Sequence, residues 1–523
     1  MLIILKTGHL LSEEQFNFNQ LTNLIEMKNI RIRTLIYLTF IILLFNSCQK
    51  LNLTPPDQLS TTVFWKTSSD ADLALTGLYN YLYAGSGNYG STQYSVFDWD
   101  GFSDDAYVQY NYGGGKTALT SGITPMSGDF VSAYYSNDYQ AIAAINSFLA
   151  NVSKVLTGDQ LNAYKGEAYF LRAFNYFWLA ELYGNVPLVK VDPFSIDYKS
   201  NLSKSTRDSV LMFVEQDLKL AISSLPDVAY NSGHAVKSTA QGYLVRVLLF
   251  EKRYAEAAVL AKQIIDGGLY TLNPSYPSNF YKPDQNTSPE IMFSVKYLLP
   301  NIPHGWEALN LTMQKWKGYL GTQDLVNEYE AGDPRKTMTF FFAGDTKAQG
   351  WPFTGNLSVA TPGVDSWLVG YYAVHKWLTP TIVNPDRGIL DDNDYVLLRY
   401  ADIELMYAEA QNEAVGPDAS VYQRVNEVRA RPGVNMPPLN SGLSQSDMRA
   451  AIRHERRVEF GLEGLRYFDL RRWGIATQKL NGFVQNPLYP TITTKYNDKY
   501  EFWPIPQTEI DRNAPILTQN PGY

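Results

Sequence analysis

LNAYKGEAYFLRAFNYFWLAELYG, residues 161–184, is the stretch whose pattern decides the fold. Leu161, Tyr164, Ala168, Leu171, Asn175, Trp178 and Leu182 recur at intervals of three and four, the period of one helix face. Phe170, Phe174, Tyr176 and Phe177 widen that face almost all round, so the helix is expected to be central and buried. Gly184, with Pro187 beyond it, supplies the stop.

Outward from this helix the same period returns, mostly in pairs. Asp70–Tyr83 reads as a helix, and Arg207–Leu225 as another, stopped by Pro226. Thr239–Phe250 and Tyr254–Ile265 read as two helices joined by the polar turn Glu251–Arg253. Tyr254-Ala255-Glu256-Ala257, followed by Ala258 and Ala261, resembles the second half of a tetratricopeptide repeat, where small residues let two helices approach. Leu397–Ala414 and Ser420–Ala430 form a similar pair, and Met448–Phe460 one more helix. The expected fold is mainly α, with tetratricopeptide-like helix pairs forming a partial superhelix over 132–270 and 396–475. The rest is a large, irregular, loop-rich half. Residues 84–130 are rich in Gly, Ser, Tyr and Asp; residues 271–395 are rich in Pro, Gly, Trp and Tyr, with strand-like runs at Ile291–Tyr297 and Tyr371–Trp377. Loops of this length on a helical frame are usually functional.

The N-terminal region carries an export signal. Lys28, Arg31 and Arg33 precede the apolar run Leu35–Phe45, and Asn46, Ser47 and Cys48 follow it. The run has 11 residues, against the roughly 20 of a spanning helix. Cys48, the one cysteine of the chain, sits where a bacterial lipoprotein is cut and lipidated, although Phe45 stands where Leu is commoner. Residues 27–47 are therefore expected to be a lipoprotein signal peptide. Residues 1–26 are unlike any signal, and Met27 makes a better start, so they are expected to be an over-extended reading frame. One cysteine permits no internal disulfide, and packing must stabilise the exported fold.

The formal net charge of -8 gives nothing to gain from counterion release, so nucleic acid is not an expected partner. The unusual quantity is aromatic. The 37 Tyr, 25 Phe and 10 Trp make 14% of the chain, and Tyr suits half-wet surfaces that meet apolar faces bearing hydroxyls, as sugars do. Candidates for an aromatic platform in 84–130 are Trp99, Tyr107 and Tyr110, beside Asp104 and Gln109. In 271–395 they are Trp306 and Trp316, with Asn310 and Gln314 between them. The competing reading is that each Trp plugs its loop onto the frame.

Other motifs are weaker. Gly85-Ser86-Gly87-Asn88-Tyr89-Gly90 fits G-x-G-x-x-G but follows a helix, not the strand a dinucleotide site needs. Gly113–Thr117 resembles a phosphate loop with Tyr110 in place of its first Gly. His234, His304, His375 and His454 lack metal-site spacing, so no cofactor and no metal are expected. Asp98, Asp100, Asp104 and Asp105 crowd one loop and Asp391, Asp392 and Asp394 another. Solvated acidic turns are expected there in preference to calcium sites. A glycosidase pair of carboxylates has no signature in sequence, since its spacing exists only in three dimensions.

The C-terminal third is where a family becomes recognisable. RHERRVEF (453–460) and GLRYFDLRRWG (464–474) resemble the SusD/RagB family of Bacteroidota outer-membrane lipoproteins. EAYFLRA (167–173) leading to LYGNVP (182–187), RYAD (399–402) before YAEA (407–410), VNEVR (425–429), WPIP (503–506) and QNPGY (519–523) resemble it too. The match begins at LNLTPP (51–56) and runs to the last residue, which makes 48–523 one SusD-like domain. In 453–473 the interleaved Arg, Glu and apolar residues read as scaffold, with partly buried ion pairs locking helix ends. The resemblance implies a helical frame, an irregular ligand-binding half and no catalysis. It implies a SusC-like TonB-dependent transporter as partner and leaves the ligand open; the aromatic candidates make a glycan the expected ligand, and lipidated Cys48 the expected membrane anchor on the cell surface. An oligopeptide ligand is the alternative within the family, and a glycoside hydrolase or a bare helical scaffold the alternatives outside it.

Overall fold

The computed structural model describes residues 64–83, 96–108, 111, 115–195, 203–304, 319–342, 372–380, 391–487 and 490–523. Trp65–Tyr523 make one compact unit. Cys48 and the leader lie outside the described residues.

The helices that carry the architecture are α1 (Ser68–Tyr79), the short α2 (Val96–Gly101), α3 (Gly128–Asn151), α4 (Gly158–Tyr183), α5 (Arg207–Ser224), α6 (Lys237–Phe250) and α7 (Tyr254–Asp266). After them come the short α8 (Gln323–Glu328) and α9 (Arg335–Thr339), then α10 (Tyr400–Ala414), α11 (Ala419–Arg429), α12 (Gln445–Phe460) and α13 (Arg466–Arg472). Their starts are set by polar caps: Thr67, Thr206, Thr322, Asp418 and Ser444 each accept a backbone N–H at a helix N-terminus.

Helix α4 is central, as its pattern requires. Every residue from Phe170 to Tyr183 is buried. It ends at Gly184, whose φ of 68° favours glycine and whose missing Cβ leaves room for the Phe502 ring; a Cβ would sit 2.9 Å from that ring. From α3 onward each helix packs against its successor in the chain, α3 on α4, α4 on α5, α5 on α6 and α6 on α7. The next neighbour of α7 is α10, although residues 267–399 lie between them in sequence. The series then continues through α10 to α11 and α12. The frame is thus continuous in space and interrupted in sequence.

One expected helix begins late. Residues 395–399 form strand β5 (Tyr395–Arg399), paired antiparallel with β2 (Ile291–Val295), and helix α10 starts only at Tyr400. Short apolar runs do not distinguish a strand from a helix by period alone. Within the run expected as a strand at Tyr371–Trp377, the described strand is β4 (Tyr372–Ala373), followed by a single bridge from Val374 to Phe340. A second sheet joins the two inserts: β1 (Ala106–Val108) pairs with β3 (Tyr319–Gly321), which pairs with β4. Gly321 is required there, since a Cβ would fall 2.2 Å from the Phe340 ring. Among the described residues no helix is long and apolar enough to cross a membrane.

Candidate functional site

The inserts are fastened to the frame by buried ion pairs. Arg399, at the end of β5, reaches Glu290 (2.7 Å), Glu459 (2.7 Å) and Glu463 (2.8 Å). Arg431 shares Glu290 and Glu459, each at 2.6 Å, and Arg335 of α9 meets Glu455 (2.6 Å) and Glu459 (2.9 Å) of α12. Burial alone would raise the Glu459 carboxyl, but Arg431, Arg399 and Arg335 outweigh it and hold the group well below the carboxylate range. Lys376 Nζ donates to Glu463 at 2.6 Å, yet burial pushes the ammonium down to about 8. The interleaved segment 453–473 therefore sits in the scaffold, more deeply than partial burial of its ion pairs would give.

The two acidic loops belong to the same kind of construction, which overturns their reading as solvated turns. Arg466 holds Asp104 with two bonds of 2.8 Å, and Arg457 donates to Asp105 at 2.8 Å. Burial raises the Asp105 carboxyl to about 6 despite Arg457. Asp394 is clasped by Lys282 (2.9 Å), Lys296 (2.7 Å) and the backbone N–H of Tyr297 (3.0 Å). Asp392 accepts the Leu299 N–H at 3.0 Å. Buried carboxylates need cations or amides, and the fold supplies both.

The candidate platform divides. Trp99, on α2, is 4% exposed and packs among Tyr134 (ring centroids 4.7 Å apart), Phe468 (4.9 Å), Trp503 (5.7 Å) and Tyr467 (6.3 Å). It plugs its loop onto α13, the competing reading of that residue. Tyr107 lies on β1 and is 7% exposed; its hydroxyl accepts from Lys116 Nζ at 3.1 Å. Asp104, expected beside these rings to bond hydroxyls, is the buried partner of Arg466. Tyr110, Gln109, Trp306, Asn310, Gln314 and Trp316 lie outside the described residues. Within the described residues, Val108 of β1 is the register partner of Tyr319 of β3.

The described residues also bring together groups that sequence reasoning did not nominate. Tyr372 of β4 and Phe342 are half-buried, their rings 5.2 Å apart and inclined at 55°. Tyr372 Oη donates to Gln323 Oε1 at 2.8 Å, and Gln323 Nε2 donates to Asn327 Oδ1 at 2.8 Å. Lys336 Nζ stands 5.8 Å from the Phe342 centroid. Two part-open rings beside two amides that still hold donor hydrogens suit a ligand with apolar C–H faces and many hydroxyls. The sequence signal was faint: Phe340-Phe341-Phe342 just before Gly344, and a tyrosine in a run already read as strand.

A helical frame with sheet-linked inserts defines a class, and the comparisons agree with it. A family model described as "Starch-binding associating with outer membrane" matches residues 66–249, and one described as "SusD family" matches 266–523. The chain belongs to the SusD/RagB family. Among its relatives is the SusD-like protein P2 of Formosa agariphila, 25% identical, with 93% of this chain and 99% of that protein covered. Among solved structures, a SusD-like carbohydrate binding protein from Bacteroides fragilis superposes with a TM-score of 0.76 at 24% identity, covering 87% of this chain and 100% of that one. Surface glycan-binding protein A from Bacteroides thetaiotaomicron, solved in complex with laminarihexaose, gives a TM-score of 0.70 at 20% identity, covering 87% and 100%.

Proposed function

We propose that this protein binds oligosaccharide or polysaccharide chains at the outer membrane and passes them to a SusC-like TonB-dependent transporter, without cleaving them. The observation that carries the reading is its likeness, over 87% of the chain, to a surface glycan-binding protein whose structure holds laminarihexaose. The half-buried pair Tyr372 and Phe342 with Gln323 and Asn327 supports it chemically. In this reading Trp306, Trp316 and Tyr110 belong to the same platform. Pyranose C–H faces stack on the rings while amides bond the hydroxyls. Cys48 is the lipid attachment point, and more than one acyl chain secures it, since a single chain binds membranes weakly.

The test is a panel of polysaccharides, oligosaccharides including laminarihexaose, and oligopeptides, each offered to purified protein with reducing ends measured in parallel. Glycan binding with no new reducing ends is expected. New reducing ends would favour a glycoside hydrolase, and peptide binding alone an oligopeptide receptor. Cys48→Ala is expected to release the protein from membranes; normal retention would remove the anchor from the account.

A further inference from the structure

The two amides of the sheet-edge patch ride on α8, a helix of six residues. Fewer than two turns do not hold themselves together in water, so α8 keeps its place through what it touches. Its residues divide into faces. Leu325 and Val326 are buried. Gln323 and Asn327, four apart, bond each other, and Gln323 also meets Tyr372. Asp324 and Glu328, also four apart, turn to α12. Arg457 takes Asp324 at 2.7 Å and one oxygen of Glu328 at 3.2 Å. The other oxygen of Glu328 lies 2.8 Å from His454 Nδ1, and Glu330, just past the helix, lies 3.2 Å from His454 Nε2.

Both nitrogens of one imidazole thus face carboxylates. A neutral ring has one N–H and one lone pair and serves only one of them, whereas the imidazolium serves both. Arg429 of α11 also holds Glu330, at 2.6 Å, and Glu455 of α12, itself bound to Arg335 and Arg429, adds attraction for the charged ring. The hydrogen bond with Glu328 lifts the ring above its usual 6.5, against the opposing effect of burial.

We propose that His454, in its charged form, is a positioning residue that clamps α8 to α12 and sets Gln323 and Asn327 for a glycan, so that binding at the patch weakens as the ring loses its proton. The proposal rests on the reading of that patch as the glycan surface. Deprotonation turns a lone pair toward Glu328 or Glu330 and frees that carboxylate, while Arg457 and the buried Leu325 and Val326 remain, so α8 loosens without unfolding. The ring holds its proton more firmly in the folded protein than in the unfolded chain. The clamp is therefore complete below about 6.5 and is lost as pH rises through the raised value. Asp105, which shares Arg457, is raised to about 6 and titrates nearby, so variants compared at one pH, and not the parent's profile alone, isolate His454.

The test compares the purified parent with His454→Gln, which is neutral, and His454→Arg, which is charged throughout, at about pH 5.5 and about pH 8.5, on either side of the histidine range. The first readout is amide hydrogen exchange of the peptide 322–330 without ligand, with the α4 peptide 161–183 as a control for global opening. At the lower pH, His454→Gln is expected to exchange 322–330 about threefold faster than the parent, the scale of a part-exposed ion pair. At the higher pH those two are expected to agree, and His454→Arg to exchange about threefold more slowly than either. The Kd of laminarihexaose is expected to follow the same order in the same proteins. Parent and His454→Gln alike at the lower pH, or different by the same factor at both, would overturn the proposal. So would exchange that follows the charge at position 454 while laminarihexaose affinity does not. Failure of laminarihexaose to bind any of the three proteins would count against the glycan reading of the patch, and the exchange readout would still decide whether His454 positions α8.

Discussion

The arginine lattice around Glu459 and the sheet-edge patch around Tyr372 are both polar clusters at the junction of insert and frame, and they are built on opposite principles. In the lattice, full charges are enclosed and paired: Arg335, Arg399 and Arg431 converge on Glu459. In the patch, half-buried rings stand beside neutral amides that are joined to each other and to Tyr372 by single hydrogen bonds. A buried ion cluster resists any rearrangement that separates its members, so it suits holding an irregular insert in one place. A half-wet aromatic pair exchanges water for a ligand at little cost to the fold. The segments that make the family recognisable belong to the first kind, and the proposed binding surface to the second.

That contrast can be broken most severely at its charged end. Arg399→Ala leaves Glu290, Glu459 and Glu463 without one shared cation, and a loss of about 3–5 kcal/mol of stability is expected. A thermal melt within a degree or two of the parent would show that the lattice does not hold the insert. Trp99→Ala is expected to cost a similar ~3–5 kcal/mol by opening a cavity among Tyr134, Phe468 and Trp503. Loss of glycan binding with an unchanged melt would return Trp99 to the binding surface.

A pH series sharpens the comparison at an intermediate scale. Burial, only partly offset by Arg424, pushes the Glu404 carboxyl up to about 7 from 4.5. Between those two values the folded protein holds more protons than the unfolded chain, so this group makes stability fall as pH rises from 4.5 to 7. Glu404→Gln should flatten that part of the profile and raise stability at pH 8 by ~2–3 kcal/mol relative to its effect at pH 4. Arg424 keeps Glu427 at 2.7 Å as a partner, so the change does not strand a charge. A pH–stability slope identical in the two proteins would mean that Glu404 titrates as an ordinary carboxylate. The smallest expected effect is at the patch. Tyr372→Ala should weaken oligosaccharide binding by about 1 kcal/mol, five- to tenfold, with the melt unmoved. A collapse of the fold would place Tyr372 with the lattice.

The frame was legible because helical period and stop signals are local. The run from Leu161 to Leu182, its stop at Gly184 and the turn at Glu251–Arg253 all lie in contiguous sequence, and α4, α6 and α7 follow them within a few residues. Strand β5 was missed because its partner, Ile291–Val295, is a hundred residues away and leaves no mark on YVLLR itself. The acidic loops were misread for a similar reason: Asp104 looks solvated until Arg466 is brought to it from across the chain. Trp99 and a surface tryptophan have the same neighbours in sequence, and only α13 and Trp503 decide between them. The patch around Tyr372 escaped because Phe342, Gln323 and Asn327 meet it only through strand pairing and helix packing.

The central claim is that this protein binds glycan on its sheet-linked inserts and not through the motifs that identify its family. The direct measurement is calorimetric titration of the parent and of a Trp306→Ala, Trp316→Ala, Tyr372→Ala variant with the oligosaccharide that binds best, both proteins being matched by melting temperature and helical circular dichroism. The account predicts saturable binding to the parent and none measurable to the variant, with the same melt. Unchanged affinity in a folded variant would contradict it.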